Sequence, residues 1–250
     1  PPPVDPLPTH DAAGVAGAAG PWEKRQGGRT DQNVINLGNF SDWKDQNHVF
    51  SDMAVFFDNS FNLTSDGEPE EITGQYGTTN LFSVLGASPV LGRTFAEGEG
   101  GEGQPRVIVL SYGLWQRRFG GDPQIVGRQI LVNEQPATII GVMPATFGWH
   151  IQRNSRGRKP ADIWMPLQIS NELRQRRGRF ASAVARLKPG VTMDQAQREM
   201  QQLLDAIEEA RPNSAPALVA MYRVTANVLR VKSAWRFTLT HNSSLSEAAA

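Results

Sequence analysis

The chain has 250 residues, with 25 basic and 25 acidic side chains, no cysteine, 24 glycines and 17 prolines. This length is enough for one or two domains with a buried core. Without cysteine the chain can form no disulfide framework, thiolate zinc site or iron–sulfur cluster, and it has no thiol nucleophile. The formal net charge of +0 argues against a generally basic nucleic-acid binder.

No window of the sequence approaches the run of about 18 apolar residues that a membrane helix needs. The best apolar runs, residues 107–110 and 139–143, have the length of strands. The first three residues are prolines, and neither a basic n-region nor an apolar h-region follows them, so no signal peptide is predicted. We therefore expect a soluble chain that is a fragment or a trimmed product.

The first 72 residues divide into a tail and a patterned segment. Residues 1–30 are rich in proline and glycine and are predicted to be a disordered or weakly ordered tail. From residue 39 an amphipathic helix is predicted, because large apolar side chains recur at steps of three and seven residues: Phe40, Trp43, Phe50 and Met53. Residues 58–60 predict a turn between two short strands, and Asp66-Gly67 is typical of a hairpin.

The central part of the chain predicts short strands and helices with clear end signals. A strand is predicted at 72–76, then a helix at 79–85 that ends at Gly86, and then a strand at 106–110. The next helix, at 112–119, has Ser111 as its N-cap and ends at Gly120-Gly121. A hairpin follows, with arms 128–132 and 137–143 around a turn at 133–135, and the last element of this part is a strand at 162–167.

The C-terminal part predicts one more strand and the clearest helix. The last predicted strand is 180–187, and the helix follows Gly190. Thr192 and Gln195 have the spacing of a capping box, and Pro212 ends the helix. Residues 219–239 are polar and irregular. Strand and helix signals mix irregularly along the chain, which favours an α+β fold over a doubly wound α/β fold.

Residues 98–103 match the string G-x-G-x-x-G of dinucleotide-binding loops, but the context differs. A functional copy follows a strand and opens a helix whose N-terminus binds pyrophosphate. Here the string follows a turn, carries Glu99 and Glu102, and leads through Pro105 into a strand. A flexible acidic turn is therefore the preferred interpretation.

No catalytic, cofactor-binding or metal-ligating residues are predicted, so the chain is not expected to be an enzyme. The four histidines are far apart in sequence and lack the short spacing of zinc ligands, and His48 is interpreted as a residue of a polar face. Ser111 is better explained as a helix cap than as a nucleophile. The carboxylate pair Glu70-Glu71 is interpreted as solvated surface.

One charged stretch supports an alternative hypothesis. Residues 150–180 carry eight basic side chains and two acidic ones. The basic ones are Arg153, Arg156, Arg158, Lys159, Arg174, Arg176, Arg177 and Arg179. A free-standing binding module could use this basic 153–179 loop for an acidic partner. Nucleic acid is disfavoured because few aromatic side chains are interleaved for base stacking.

Residues 80–95 resemble a family hallmark, N-[YF]-F-x-V-L-G-x-x-P-x-x-G-R-x-F. It is the hallmark of the MacB-like periplasmic core domain found in FtsX-like ABC transporter permeases. Further matches follow in the family's order at 107–115, 119–123, 126–128, 140–144, 162–167 and 185–192. The resemblance covers about residues 31–212.

The resemblance implies an α+β fold in two parts. A porter-like βαβ-type subdomain is formed by both ends of the domain, residues 31–72 and 176–225. A strand-rich, Sabre-like subdomain at 73–175 is inserted between them. The helices with Trp43 and Met200 are expected to be the two porter helices, and residues 226–250 an irregular tail.

The resemblance also implies a role without catalysis or cofactors. The domain would lie on the periplasmic side of the bacterial inner membrane and relay ATP-driven movement of the membrane helices to export substrates or partner proteins. The implied partners are the transmembrane part of the permease, a separate or fused cytoplasmic ATPase, a periplasmic adaptor or outer-membrane protein, and a second copy in a dimer.

Overall fold

The computed structural model describes residues 15–19, 35, 37–65, 67–147, 160–175, 180–210 and 220–223. Within this part of the chain the strands are β1 (Val15–Ala19), β2 (Phe50–Leu63), β3 (Glu70–Thr78), β4 (Leu91–Gly92), β5 (Val107–Leu110), β6 (Gln129–Val132), β7 (Gln135–Val142), β8 (Ile163–Leu167), β9 (Ser182–Leu187) and β10 (Ala220–Arg223). The helices are α1 (Leu37–Gln46), α2 (Leu81–Leu85), α3 (Tyr112–Phe119), α4 (Asn171–Gln175) and α5 (Met193–Ala210).

The strands form one mixed sheet with two regions, which we call the layer and the ring. The layer consists of β10, β1, β9 and the first half of β2, all antiparallel to their neighbours. The ring runs from the second half of β2 through β3, β8, β5, β7 and β6. It closes where Leu63 of β2 pairs with Val132 of β6.

Strand β2 belongs to both regions. Residues 50–56 pair with β9, and residues 56–63 pair with β3. Successive side chains of a strand point to opposite faces. Met53 and Val55 therefore contribute to the core beneath α1, whereas Ala54 and Phe56 contribute to a different core on the other face.

The core of the layer lies between its sheet and helices α1 and α5. Phe40 and Trp43 of α1 are almost completely buried, and they share a cluster with Ala196 and Met200 of α5. Both helices expected from the resemblance therefore cover the same face of the layer. Deleting a large side chain from such a core typically costs about 2–5 kcal/mol of stability.

The interior of the ring is filled with apolar side chains. It holds Phe61, Leu63, Ile72, Ile108, Leu110, Ile130, Val132, Ile139, Val142 and Ile163. Helix α3 contributes Leu114 and Phe119 to this cluster. Arg106, which precedes β5, connects that strand to the β6–β7 hairpin. Its guanidinium donates hydrogen bonds to the Val132 carbonyl at 3.2 Å and to Gln135 Oε1 at 2.6 Å. The ring is thus a packed core, comparable to other small closed sheets.

Several element predictions are confirmed. Helix α3 begins after Ser111, whose Oγ accepts a hydrogen bond from the Leu114 amide at 3.1 Å, and ends at Gly120 in the left-handed conformation. The hairpin of β6 and β7 is present, with a turn that is one residue shorter than predicted. The capping box also forms, since the backbone amide of Gln195 donates a hydrogen bond to Thr192 Oγ1. The short β4 and α4 were not predicted.

The predicted helix from residue 39 is wrong over its second half, and the predicted turn at 58–60 is wrong. Helix α1 ends at Gln46, so Phe50 and Met53 lie on β2. Residues 58–60 continue that strand because they pair with residues 73–75 of β3. Cross-strand pairing has overridden the local turn preference.

The predicted tail at residues 1–30 is wrong for Val15–Ala19, which forms a strand between β9 and β10. This segment contains only alanine, glycine and one valine, so its place depends on backbone pairing on both sides. Strand Ala220–Arg223 was also not predicted, since it lies in the stretch interpreted as irregular. The rest of residues 1–30 and residues 226–250 lie outside the described part of the chain.

The subdomain bounds remain predictions. Residues 54, 56 and 184, assigned to the porter-like part, share a core with residues assigned to the insert.

Over the described ranges, no helix has both the length and the apolar character required to cross a membrane.

Candidate functional site

The glycine-rich string at 98–103 forms a series of turns between β4 and β5. Gly98, Gly100 and Gly103 have positive φ, and no helix begins at the string. Glu99 folds back to accept a hydrogen bond from Arg93 at 2.6 Å and another from the Ala96 amide at 2.8 Å. The string therefore forms turns, as predicted, and its context differs from that of a nucleotide-binding loop.

The structure also describes two other residues that were considered as candidates from the sequence, His48 and Ser111. His48 is exposed, and its backbone amide donates to Glu199 of α5. Ser111 caps α3. Among the residues that the structure describes, no three histidine or acidic side chains are grouped so that they could bind a metal ion.

Glu70 lies at the surface, with 34% of its side chain exposed, but it is also paired with arginines, which the sequence did not predict. Arg117 of α3 donates a hydrogen bond to Glu70 Oε1 at 2.9 Å and another to Asp162 Oδ1 at 2.8 Å. Arg118 approaches the other oxygen of Glu70 at 3.7 Å. Glu71 is exposed, as interpreted. Arg117 therefore connects α3 to the beginnings of β3 and β8.

The same residues line a cleft of about 610 Å³ at one end of the ring. Its walls combine Glu70, Glu71, Asp162 and Arg117 with the apolar side chains Tyr112, Pro144, Phe147 and Pro160. The hydrogen bond to Asp162 raises the pKa of Arg117 above its usual value; burial acts in the opposite direction, and the bond to Glu70 raises it further. The guanidinium is therefore firmly cationic and already engaged by two carboxylates.

Sequence reasoning missed this cluster. The partners of Arg117 lie 45 and 47 residues away along the chain, and no local spacing connects them. The available signal was weak: two arginines in the last turn of a helix are ordinarily explained by the helix dipole.

Helix α2, from the segment that carries the family resemblance, lies where the layer and the ring meet. At its start the Asn80 amide group donates to the Met53 carbonyl and to Asp52 Oδ2, both at 2.8 Å. At its end the Val84 carbonyl accepts a hydrogen bond from Arg186 of β9 at 2.6 Å. Both ends of the helix are therefore attached to strands of the layer.

The apolar side of α2 contacts the ring. Phe82 is fully buried, and the centroid of its ring lies 5.7 Å from that of Trp164 on β8, in an edge-on arrangement. Phe95 and Phe147 lie at 5.4 and 5.8 Å from Phe82. Aromatic pairs at these distances contribute about 0.5–1.5 kcal/mol beyond area burial. The helix thus joins layer strands to a ring strand.

Most of the basic 153–179 loop lies outside the described residues. Arg174, on α4, is the member of the set that the structure describes, and it is exposed.

The mixed sheet and the helices packed against it define an α+β fold. The model of the family described as "MacB-like periplasmic core domain" matches residues 14–203. The chain therefore belongs to the MacB-like periplasmic core domain family. This match begins just before β1, in the segment that the sequence had assigned to a tail.

Part of the chain is also similar to curated proteins. The chain is 28% identical over 134 residues to "Macrolide export ATP-binding/permease protein MacB 1" of Yersinia pestis, an alignment that covers 49% of this chain and 19% of the relative. The chain thus spans about a fifth of the length of the curated relatives it matches.

Two solved structures have a similar fold. The periplasmic region of MacB from Actinobacillus actinomycetemcomitans aligns with a TM-score of 0.57 at 14% identity, covering 84% of this chain and 89% of that one. A domain of a putative permease protein from Porphyromonas gingivalis aligns with a TM-score of 0.58 at 14% identity, covering 86% and 92%. These likenesses confirm the α+β fold.

Proposed function

We propose that the chain is the extracytoplasmic, non-catalytic domain of an ABC transporter permease and relays movement of the membrane helices to exported substrates or partner proteins. The family match over residues 14–203 carries this proposal. The domain lies on the periplasmic side of the bacterial inner membrane. Its partners are the transmembrane part of the permease, a separate or fused cytoplasmic ATPase, an adaptor or outer-membrane protein, and a second copy.

Two structural features support a mechanical role. The layer and the ring share strand β2 and the aromatic core around Phe82, so a displacement of one region acts directly on the other. The ionic cluster in the cleft is paired internally, with Arg117 engaged by Glu70 and Asp162. Such an arrangement stabilises the position of α3.

The location is tested by labelling, because this chain has no native cysteine. In the complete permease with its other cysteines removed, a Glu102→Cys side chain lies on an exposed turn. A membrane-impermeant maleimide added to intact spheroplasts is expected to label it. Leu114→Cys is the matched control, because position 114 is fully buried. Labelling of position 102 only after lysis would contradict the periplasmic location.

The relay is tested in the complete transporter. Replacing residues 37–210 by a flexible linker is expected to abolish export while ATP hydrolysis by the ATPase continues. Both rates are measured in the same vesicles. Export at the original rate without the domain would refute the relay, and ATP hydrolysis by the purified chain alone would refute its non-catalytic character.

A further inference from the structure

We propose that helix α2 is the joint through which a displacement of the layer reaches the ring, with Asn80 and Arg186 as the positioning residues that hold it. The inference rests on the proposed relay and names the element that performs it. It starts from three attachments of one short helix, two polar and one apolar.

The first attachment is a cluster of polar contacts at the start of α2, which we call the knot. The Met53 carbonyl accepts hydrogen bonds from Asn80 and from Lys44 of α1, at 2.8 and 3.2 Å. Lys44 also forms an ion pair with Asp52 at 3.4 Å, and the same carboxylate accepts from Asn80. The knot lies next to a bulge in β2, where the pairing with β9 shifts between Phe50 and Asp52. Helices α1 and α2 are therefore fixed to one carbonyl and one carboxylate of the same strand.

The second attachment is at the other end of α2. Arg186 on β9 donates to the Val84 carbonyl, one of the helix carbonyls without an intrahelical partner. A side-chain Cβ at Gly86, which ends the helix in the left-handed conformation, would lie 3.0 Å from the Arg186 guanidinium. The arginine thus fits closely against the end of the helix. With both ends attached to the layer, α2 moves with it.

The third attachment is Phe82, which inserts between Phe95, Phe147 and Trp164. Trp164 is further held by a hydrogen bond from its Nε1 to Gln75 on β3, at 2.9 Å. A side chain surrounded by three rings in a close-packed core has little room to shift independently. Movement of α2 therefore displaces β8 and β3, which are adjacent strands of the ring.

Strand β2 is the alternative carrier, since it also runs through both regions. A single strand can twist about its own axis, and sheet twist varies widely between neighbours. Helix α2 is instead attached to the layer at both ends and packed through Phe82 against the ring. The geometry therefore favours α2, and the two carriers make different predictions.

The test measures how far a local change in the layer is felt in the ring of the purified chain. Met200→Ala weakens the layer core, where Met200 is fully buried. With α2 attached, it is expected to accelerate hydrogen exchange of the β5 and β7 amides by roughly tenfold or more, because joined regions open together. In an Asn80→Ala, Arg186→Met background, the same change is expected to accelerate them by no more than about twofold.

Asn47→Ala is the matched control background. Asn47 makes several hydrogen bonds, to the Trp43 and Lys44 carbonyls and from the Phe50 amide, and all of these partners are in α1 or β2. It is expected to preserve the tenfold response. If the double variant does not fold, Asn80→Ala alone is used and a response between the two limits is expected.

Two results would overturn the joint. Ring amides that do not respond to Met200→Ala in the otherwise unchanged chain would show that the regions are not coupled. An equal response in the double variant would assign the coupling to β2 or to the core that residues 54, 56 and 184 share with the ring. No ATPase or substrate takes part, so the outcome is independent of whether the transporter exports, and the relay and the joint can fail separately.

Discussion

Two paired glycines allow the neighbouring strands β4 and β7 to approach each other closely. Gly92 pairs with Gly141, and a Cβ at Gly141 would collide with the Arg93 carbonyl oxygen. The Arg93 amide in turn donates to the Ile140 carbonyl at 2.9 Å. The backbones approach so closely that no side chain fits between them.

Gly141→Ala is therefore expected to destabilise the protein by about 1–3 kcal/mol, because the added methyl group forces the two backbones apart. The midpoint of urea unfolding measures this loss. Gly113→Ala is the control: its Cβ would meet nothing nearer than Ser111 Oγ at 3.9 Å, and alanine favours the helix by up to about 1 kcal/mol. Equal midpoints for the two variants would contradict the close approach.

Glu99 gives a pH dependence at the same scale. Burial raises its pKa, but hydrogen bonds from Arg93 and from the Ala96 amide lower the pKa below its usual 4.5 overall. A carboxyl group with a lowered pKa stabilises the fold above its unfolded pKa, and the contribution is lost as the pH falls through the folded value.

Glu99→Gln is accordingly expected to reduce the free energy of unfolding at pH 7 by about 1 kcal/mol or less, since Arg93 is half exposed. The difference from the unsubstituted chain should shrink as the pH falls below 4.5 and through the lowered pKa that Glu99 has in the folded protein. Urea unfolding at pH 7 and at successively lower pH provides the measurement, with Glu97→Gln on the same turn as the control. A difference that persists unchanged at the lower pH would show that the ionised carboxylate is not responsible.

Residues whose role is local could be predicted from the sequence, and residues whose role depends on distant partners could not. Ser111 and Gly120 were identified as helix ends because a cap acts within three or four residues. Arg117 was overlooked because its carboxylates become neighbours only after β3, α3 and β8 have assembled. Asn80 belonged to a recognised motif, but its partners at positions 52 and 53 were assigned to a helix.

At the scale of elements, β2 shows the limit of pattern reading. Residues 53–56 of this strand are all buried, on both faces, so they give neither a strand nor a helix period. Asp58, Asn59 and Ser60 have the composition of a turn but pair with β3. The hairpin of β6 and β7 was predictable, because β6 alternates between exposed and buried residues and the turn residues are polar.

That hairpin has an unfavourable turn residue. Asn133 and Glu134 both adopt positive φ, at 50° and 62°. Asparagine tolerates this conformation, whereas the second position of such a two-residue turn favours glycine. Glu134→Gly is expected to stabilise the protein by roughly 0.5–1 kcal/mol by relieving the backbone strain.

Thermal unfolding should show this as a higher midpoint. Glu102→Gly is the matched control, because residue 102 is exposed and its φ is not positive; it should lower the midpoint slightly by making the unfolded chain more flexible. A lower midpoint for Glu134→Gly would mean that the glutamate makes a compensating contact.

At the scale of the whole molecule, the sequence indicated the fold class but not the closed ring. Closure depends on Leu63 meeting Val132, a pair separated by 69 positions that no periodicity reveals. The α+β class followed from the irregular order of elements, and the family followed from ordered motifs. Strand β1 was not predicted because its composition resembles that of an unfolded segment.

The position of β1 predicts the effect of truncation. Deleting residues 1–20 removes the strand between β9 and β10, so β9 becomes an edge of the sheet. Exposed edges promote association. We expect a lower unfolding midpoint and a larger mass by light scattering. A deletion of residues 1–13 retains β1 and is the control; identical behaviour of the two truncations would contradict the pairing of β1.

The order in which the chain leaves the ribosome makes the two regions of the sheet unequal. All ring strands lie within residues 50–167, whereas the core that contains Trp43 also includes Ala196 and Met200 of α5. That core is therefore incomplete until α5 has been made. During refolding, we expect pulse-labelled amides of β7 to be protected before those of β9, because the β6–β7 pairing is local and that of β9 spans more than a hundred residues. Protection of β9 first would reverse this order and make the late-synthesised residues the nucleus.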